Sequence, residues 1–360
     1  VTRYDIAIVG AGIAGASLAA ELAPHARVLM LEAEAQPGYH ATGRSAAFWA
    51  ETYGGATIQP LTSASHDGLA PFLEPLGSLH IGRAHEQAAI DAFLDEFAGS
   101  GVTLEARDPR ETIPGLRDDW CLAVWEPSCA YIDVGGLHQD CLSRAKRAGA
   151  ALVTSAGLHA AARRDGGWLL ETAAGAFEAD ILVNAAGAWA DPVARMAGAK
   201  PLGIQPFRRT MVQLRTDPAP PAALPHVGHI AGSFYFKPEG RDRLWLSPHD
   251  EHATPPCDAQ PEEIDVAIAI DRFENVVDWR VAGVDRKWAG LRSFAPDRVP
   301  VYGFDPAVSG LFWCAGQGGF GIQTAPAAAK MAAAMLLGTA PEPVVAAIDP
   351  GNYSAARFAA

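Results

Sequence analysis

The chain has 360 residues, 49% of them hydrophobic and 19% charged, with a formal net charge of −13. That length supports two domains with cores of their own, and the composition excludes a disordered chain. The acidic balance argues against nucleic-acid backbone or an anionic membrane as partner, and no apolar run reaches the roughly 18 residues of a membrane span.

The first strand, Tyr4 to Val9, begins almost at once, so no signal peptide is expected within the sequence. It runs into Gly10-Ala11-Gly12-Ile13-Ala14-Gly15, then an alanine-rich helix to Leu22, then a second strand, Ala26 to Leu31, closed by Glu32. This is a βαβ unit with the dinucleotide fingerprint. Gly10 serves the tight turn, Gly12 the approach of a pyrophosphate, and Gly15 the packing of helix on sheet. Free N–H groups at the helix start face the phosphates. Glu32 accepts from a ribose 2′-OH and repels a 2′-phosphate, which disfavours NADP.

Thr42-Gly43-Arg44-Ser45-Ala46-Ala47 places small residues beside a cation. It reads either as a backbone passing flush against a cofactor, with Arg44 meeting phosphate charge, or as a loop entering a helix near Ser45. Residues 61–97 read as mostly helical, with a possible strand over 76–82, and 101–120 as loop. A helix is expected over 137–148, a short strand at 151–153, and a hairpin arm at 168–172 after the turn at 165–167. The segment Asp180 to Trp189 is a buried parallel strand delivering small residues to a ligand.

Residues 205–300 change character. The segments 208–215, 233–237, 244–247 and 287–294 alternate apolar and polar, as half-exposed antiparallel strands do, with one helix over 261–279. His249 and His252 have the HxxH spacing of a metal pair but read better as part of a solvated lid. The last segment repeats the strand–glycine–helix order of the first. A buried strand over 310–315 leads into Gly316-Gln317-Gly318-Gly319-Phe320-Gly321 and a helix from Ile322 to Leu337. The start of that helix can stabilise the electron-rich edge of a redox ring. One βαβ unit followed by distant glycine segments fits one long ligand, FAD, better than NAD.

Five cysteines, Cys121, Cys129, Cys141, Cys257 and Cys314, include no CxxC pair and read as free thiols of a reducing cytoplasm. No metal is expected.

The runs Gly38 to Ala47, VNAAGAW at 183–189, Trp288 to Phe294 and Gln317 to Thr324 resemble the D-amino-acid oxidase superfamily, and within it the bacterial D-arginine dehydrogenases and related flavin D-amino-acid dehydrogenases. The resemblance implies a two-domain α/β (α+β) fold, a Rossmann-type FAD-binding domain (1–47, 134–204, 298–360) with a substrate domain on an antiparallel sheet (48–133, 205–297). It implies that FAD meets Gly10, Gly12, Ile13, Ala14, Gly15, Glu32, Ala33, Gly43, Arg44, Ser45, Ala46, Ala47, Leu158, Ala186, Gly187, Trp189, Gly318, Gly319, Gly321, Ile322, Gln323 and Thr324. No cysteine lies between Cys257 and Cys314, so the FAD is expected to be non-covalent.

The same resemblance puts Arg292 and Tyr235 on the substrate carboxylate and Tyr53 beside them, with Phe48, Arg209, His80 and Gly319 lining the substrate wall. A guanidinium fork on a strand suits a carboxylate and a phenol adds a donor; Arg292 could instead pair with an acid such as Asp297. The implied reaction is oxidative deamination of an α-amino acid, a D-amino acid foremost. Hydride passes to flavin N5, and the imino acid is hydrolysed to keto acid and ammonia. Tyr53 or water takes the ammonium proton, with His80, His249 and His252 as alternatives. The other readings are oxidation of an N-substituted amino acid or a 2-hydroxy acid, and a non-catalytic flavoprotein subunit.

Two departures shift the expected substrate. The arginine-specific members carry a glutamate where Leu76–Arg83 has no acid, and a histidine where Phe48 stands; an apolar side chain is therefore expected. Trp245 falls, by approximate register, where oxidases of the superfamily carry a lysine, which favours a dehydrogenase. A quinone or other carrier then takes the electrons, in the cytoplasm or peripheral to a membrane.

Overall fold

Apolar four-residue stretches set the first sheet. In the computed structural model, which describes residues 3–359, Arg3–Val9 lies between Val28–Leu31 and Gly175–Asn184, all parallel. Ala151–Val153 and Leu311–Ala315 extend the parallel set on either side, and Val301–Phe304 closes one edge antiparallel. The strand expected from Asp180 starts at Gly175, because its first half pairs antiparallel with Gly167–Thr172, which in turn pairs with Leu158–Arg164.

Helices Ile13–Leu22, Val134–Arg147 and Ala325–Leu337 pack together on one face of this sheet. Alanine gives the first and third of these high helix propensity and little bulk, so their axes come close. Leu18, Leu22, Leu137 and Met331 fill the seam, and each large apolar side chain fully buried there contributes about 1.5–3 kcal/mol. Asp133 caps the second helix by accepting the Gly136 N–H at 2.9 Å, a contact worth about 1 kcal/mol. Trp168, Trp313 and Val193 pack the opposite face.

The second sheet has ten strands, ordered Gln317–Gly318, Arg280–Phe294, Gln205–Asp217, Arg243–Ser247, Tyr235–Glu239, His226–His229, Ser78–Arg83, Trp120–Glu126 and Glu105–Ala106, with His252–Ala253 pairing onto Gln205–Asp217. It is antiparallel except where His226–His229 runs parallel to Ser78–Arg83. Glu263–Glu274 covers one face, burying Val266, Ala269 and Phe273 against Val212, Phe236 and Leu246. This helix ends sooner than expected, well before Trp279, because the chain turns at Asn275 and sends Val276, Val277 and Trp279 into the same core. A small sheet of Phe48–Trp49, Ala130–Ile132 and Leu73–Pro75 lies apart, and no helix starts at Ser45. Among the described residues no helix is long and apolar enough to cross a membrane.

Candidate active site

The two sheets enclose one long cavity of about 440 Å³. At one end Gly10 follows the first strand with φ +101°, and its missing Cβ would press into the Ala185 carbonyl. Gly12, Ile13 and Ala14 come next on the wall. The Ile13 N–H is not free as expected: it donates to Thr42 Oγ1 at 3.0 Å, so its neighbours at the helix start are left to face a phosphate. Glu32 is buried and fixed. Its Oε2 accepts the Ala11 N–H at 2.9 Å and its Oε1 the Glu34 N–H at 3.0 Å. Each oxygen keeps a lone pair for a ribose hydroxyl. Ala33, Leu158, Ala186, Gly187 and Trp189 complete this end, and the His40 ring lies 4.6 Å from that of Trp189.

Ser45, Ala46 and Ala47 also line the cavity, as do Gly318, Gly319, Gly321, Ile322 and Gln323. Arg44 borders the cavity, but its guanidinium is engaged elsewhere. It pairs with Asp258 and donates to the carbonyls of Ala259 at 2.8 Å and Ala289 at 3.2 Å. The charge expected to meet a phosphate is thereby spent on the 248–261 loop.

At the far end strand alternation selects the side chains. Arg209 and Met211 on one strand, Tyr235 on another and Arg292 on a third face the cavity, whereas Val212 and Phe236 enter an apolar cluster. Arg292 donates to the Tyr53 hydroxyl and does pair with an acid, Glu251 at 3.4 Å, while Asp297 binds Arg357. Arg209 is 6% exposed. Burial first, and then the nearby Arg292 charge, push its guanidinium below the usual range. The Tyr235 hydroxyl donates to Met211 Sδ at 3.1 Å, and burial raises its phenol. Phe48 closes the wall, its ring 5.3 Å from Tyr53 and 6.2 Å from Tyr235. A Cβ on Gly319 would run into both Arg292 and the Tyr53 hydroxyl.

Four expected site residues stand off the cavity wall. Gly15 packs beneath the turn, where a Cβ would press on the Gly10 carbonyl. Gly43 closes a turn through its N–H to Gly38 O at 2.7 Å. Thr324 is fully buried, its hydroxyl donated to Phe320 O at 2.8 Å. His80 faces the buried Glu126, Nε2 to Oε2 at 3.1 Å. The last helix starts at Ala325, later than the expected Ile322, since the chain first makes turns over 319–324. The segment ahead of the helix, not its first turn, therefore borders the cavity.

The 248–261 loop is pinned rather than simply solvated. Asp250 accepts from the Thr210 N–H at 2.8 Å and hydroxyl at 3.0 Å. His249 donates to the Gly232 carbonyl while His252 pairs with Asp265, so the HxxH imidazoles serve different partners. Burial, then the charges of Arg209 and Arg292, push His249 down to about 3, leaving a neutral ring. Asp250, His252 and Asp265 could draw together on a cation, but Arg208 already supplies the charge beside Asp265, at 2.9 Å.

Residues missed in the sequence include Thr42, Met211, Glu34, His40, Met196 and Gln317. Met211 was within reach, because it lies two positions from Arg209 on a strand. Thr42 depended on a contact 29 residues away in sequence.

Trp245 does not border the cavity. It packs on Trp288, with Lys237 Nζ 4.5 Å from its ring centroid. Lys237 is 2% exposed, and burial pushes its ammonium from 10.5 down to about 8. The unfolded chain holds this proton more tightly, so stability rises with pH through that window and the penalty is complete below it. Lys237→Met should therefore stabilise the protein by about 1–3 kcal/mol near pH 7. The gain should fade above about pH 10, as chemical unfolding at both pH values would show.

The residues present suit an extended flavin dinucleotide: a glycine turn, a fixed ribose acceptor, and a small-residue middle. The DAO model, FAD dependent oxidoreductase, matches residues 5–335, and the chain belongs to this family. Its cofactor is FAD. Glycine oxidase from Geobacillus kaustophilus is 25% identical over 353 residues, covering 90% of each chain. A crystal structure of glycine oxidase from that organism superposes with a TM-score of 0.84 at 24% identity, covering 98% of each chain. The bifunctional protein ThiO/ThiG of Synechocystis (26% identical) and mitochondrial dimethylglycine dehydrogenase of Mus musculus (27%) each match 98% of this chain. The chain spans about half the length of these two relatives, 54% and 44%.

Proposed function

We propose that this chain oxidises the α-amine of a small amino acid held through its carboxylate by Arg292. The observation that carries this reading is the pairing of Arg292 with Tyr53, beside Arg209 and Tyr235, at one end of a cavity whose other end is the dinucleotide turn. FAD, when bound, supplies the hydride acceptor. Arg292 grips the carboxylate, and Tyr53, whose oxygen already accepts from Arg292, keeps its own hydrogen to donate. Water takes the ammonium proton, and the neutral amine's lone pair then drives loss of the α-hydrogen, so no strong base is needed. Phe48 and Met211 exclude water from the reacting carbon.

A D-amino acid with an apolar side chain is the primary substrate class. No acid borders the cavity near Phe48, Tyr53 and Met211; Glu32 and Glu34 lie at the nucleotide end. An N-substituted amino acid is the second reading, favoured by the similarity to glycine oxidase and dimethylglycine dehydrogenase. Absence of lysine and cysteine from the cavity lining supports a dehydrogenase with non-covalent FAD. The segments 1–47, 134–204 and 298–360 form the FAD-binding unit in this reading, and 48–133 with 205–297 the substrate unit.

The test is anaerobic flavin reduction across D- and L-amino acids, N-methyl amino acids and 2-hydroxy acids, followed by turnover with dye and with oxygen. Apolar D-amino acids should bleach the flavin fastest, and dye turnover should outpace peroxide formation. Fastest reduction by a 2-hydroxy acid or by D-arginine would overturn the substrate reading. Failure of every amine would leave a non-catalytic flavoprotein.

A further inference from the structure

Three guanidiniums converge on one carboxylate beside the cavity. Glu251 Oε1 lies 3.3 Å from Arg209, 3.4 Å from Arg292 and 2.8 Å from Arg298. Arg209 and Arg292 border the cavity, whereas Glu251 and Arg298 lie behind them. Asp250 adds a second carboxylate, 3.8 Å from Arg209 Nε. Three positive and two negative charges leave one positive charge in excess. That excess matches one substrate carboxylate.

We propose that Glu251 is a specificity-determining residue: its charge fits this end of the cavity to a monocarboxylate and disfavours a dicarboxylate. This rests on the reading of Arg292 as the carboxylate grip. Both cavity-facing guanidiniums are largely desolvated, so their charge is poorly screened and its balance matters. Arg209 also spends its Nε on the Asp250 carbonyl at 2.8 Å. Its remaining edge could grip a second carboxylate once Glu251 no longer offsets the charge. Glu251 itself is held below the usual carboxylate range: burial would raise it, but Arg298, Arg292 and Arg209 together outweigh that. It therefore carries its charge at neutral pH.

The test is calorimetric binding of acetate and of malonate to the FAD-loaded protein at fixed low ionic strength. Glu251→Gln should raise the malonate-to-acetate affinity ratio about tenfold or more. Glu251→Asp keeps the charge and should keep the wild-type ratio. Arg298→Gln, which lies off the cavity wall, should lower the ratio by a similar factor and reads the same balance if Glu251→Gln folds poorly. A ratio within about threefold of wild type in both charge-changing variants would overturn the proposal. So would parallel loss of both ligands at full FAD occupancy, which marks a purely structural role. Binding is read without turnover, so a protein that oxidises no amine yet shows the shift would retire the proposed reaction and leave this inference standing.

Discussion

Replacing Arg292 with alanine should lower kcat/KM by about thirty-fold to several-thousand-fold, while FAD content stays near normal. The magnitude follows from truncating one partner of a desolvated charge pair, about 2–5 kcal/mol. Arg292 is 13% exposed at its side chain and rides on the strand Arg280–Phe294, so its fork is fixed. Arg209 is poorly placed to substitute, since its Nε serves Asp250 and one terminal nitrogen serves Glu251. The truncation also strips Tyr53 of its donor. Arg292→Lys should recover only part of the loss, because an ammonium cannot make the two-pronged contact. FAD should remain because the glycine turn, Glu32 and the 317–323 segment lie on other elements. Steady-state kinetics with FAD occupancy measured on the same samples decides it. A loss below about threefold at full occupancy removes Arg292 from the site.

The elements that hold the nucleotide end were legible in the sequence because their signals are local. A strand, three spaced glycines, a helix and an acid follow one another without interruption from Tyr4 to Glu32, and the structure keeps them in that order. The strands carrying Arg209, Tyr235 and Arg292 were legible from alternation, which also says which neighbours turn inward. What the sequence hid was long-range partnership. Arg44 looks like a phosphate ligand until the loop 214 residues later presents Asp258. His80 looks like a pocket residue until Glu126 on the adjacent strand claims it. The parallel pairing of His226–His229 with Ser78–Arg83 likewise joins segments far apart in the chain. Patterns of period two carry no information about such pairings.

Glu126 was absent from the sequence reading, and its replacement should produce the largest loss of stability. The residue is fully buried. It pairs with His80 at 3.1 Å and accepts the Thr52 hydroxyl at 2.6 Å and the Thr52 N–H at 3.3 Å. Thr52 immediately precedes Tyr53, whose carbonyl is held from the other side by Gln323 at 2.9 Å. Glu126 thus positions Tyr53 through its neighbour. Glu126→Ala breaks a buried pair and strands the donors of His80 and Thr52, a cost of about 3–5 kcal/mol. Glu126→Gln keeps the shape and an acceptor, and should cost roughly 1–2 kcal/mol. Burial alone would raise this carboxyl, but His80 and the Thr52 donors outweigh it and hold the group below its usual 4.5. A depressed carboxyl stabilises the fold above its unfolded value, and that stability is lost as pH falls through the folded one. The gap between wild type and Glu126→Gln should therefore be widest near neutrality and shrink as the pH falls below 4.5. In kinetics, Glu126→Gln should lower kcat/KM through a displaced Tyr53 while FAD stays bound. Equal unfolding midpoints at neutral pH, or a gap that does not narrow in acid, would show that Glu126 does not carry its charge in the folded protein.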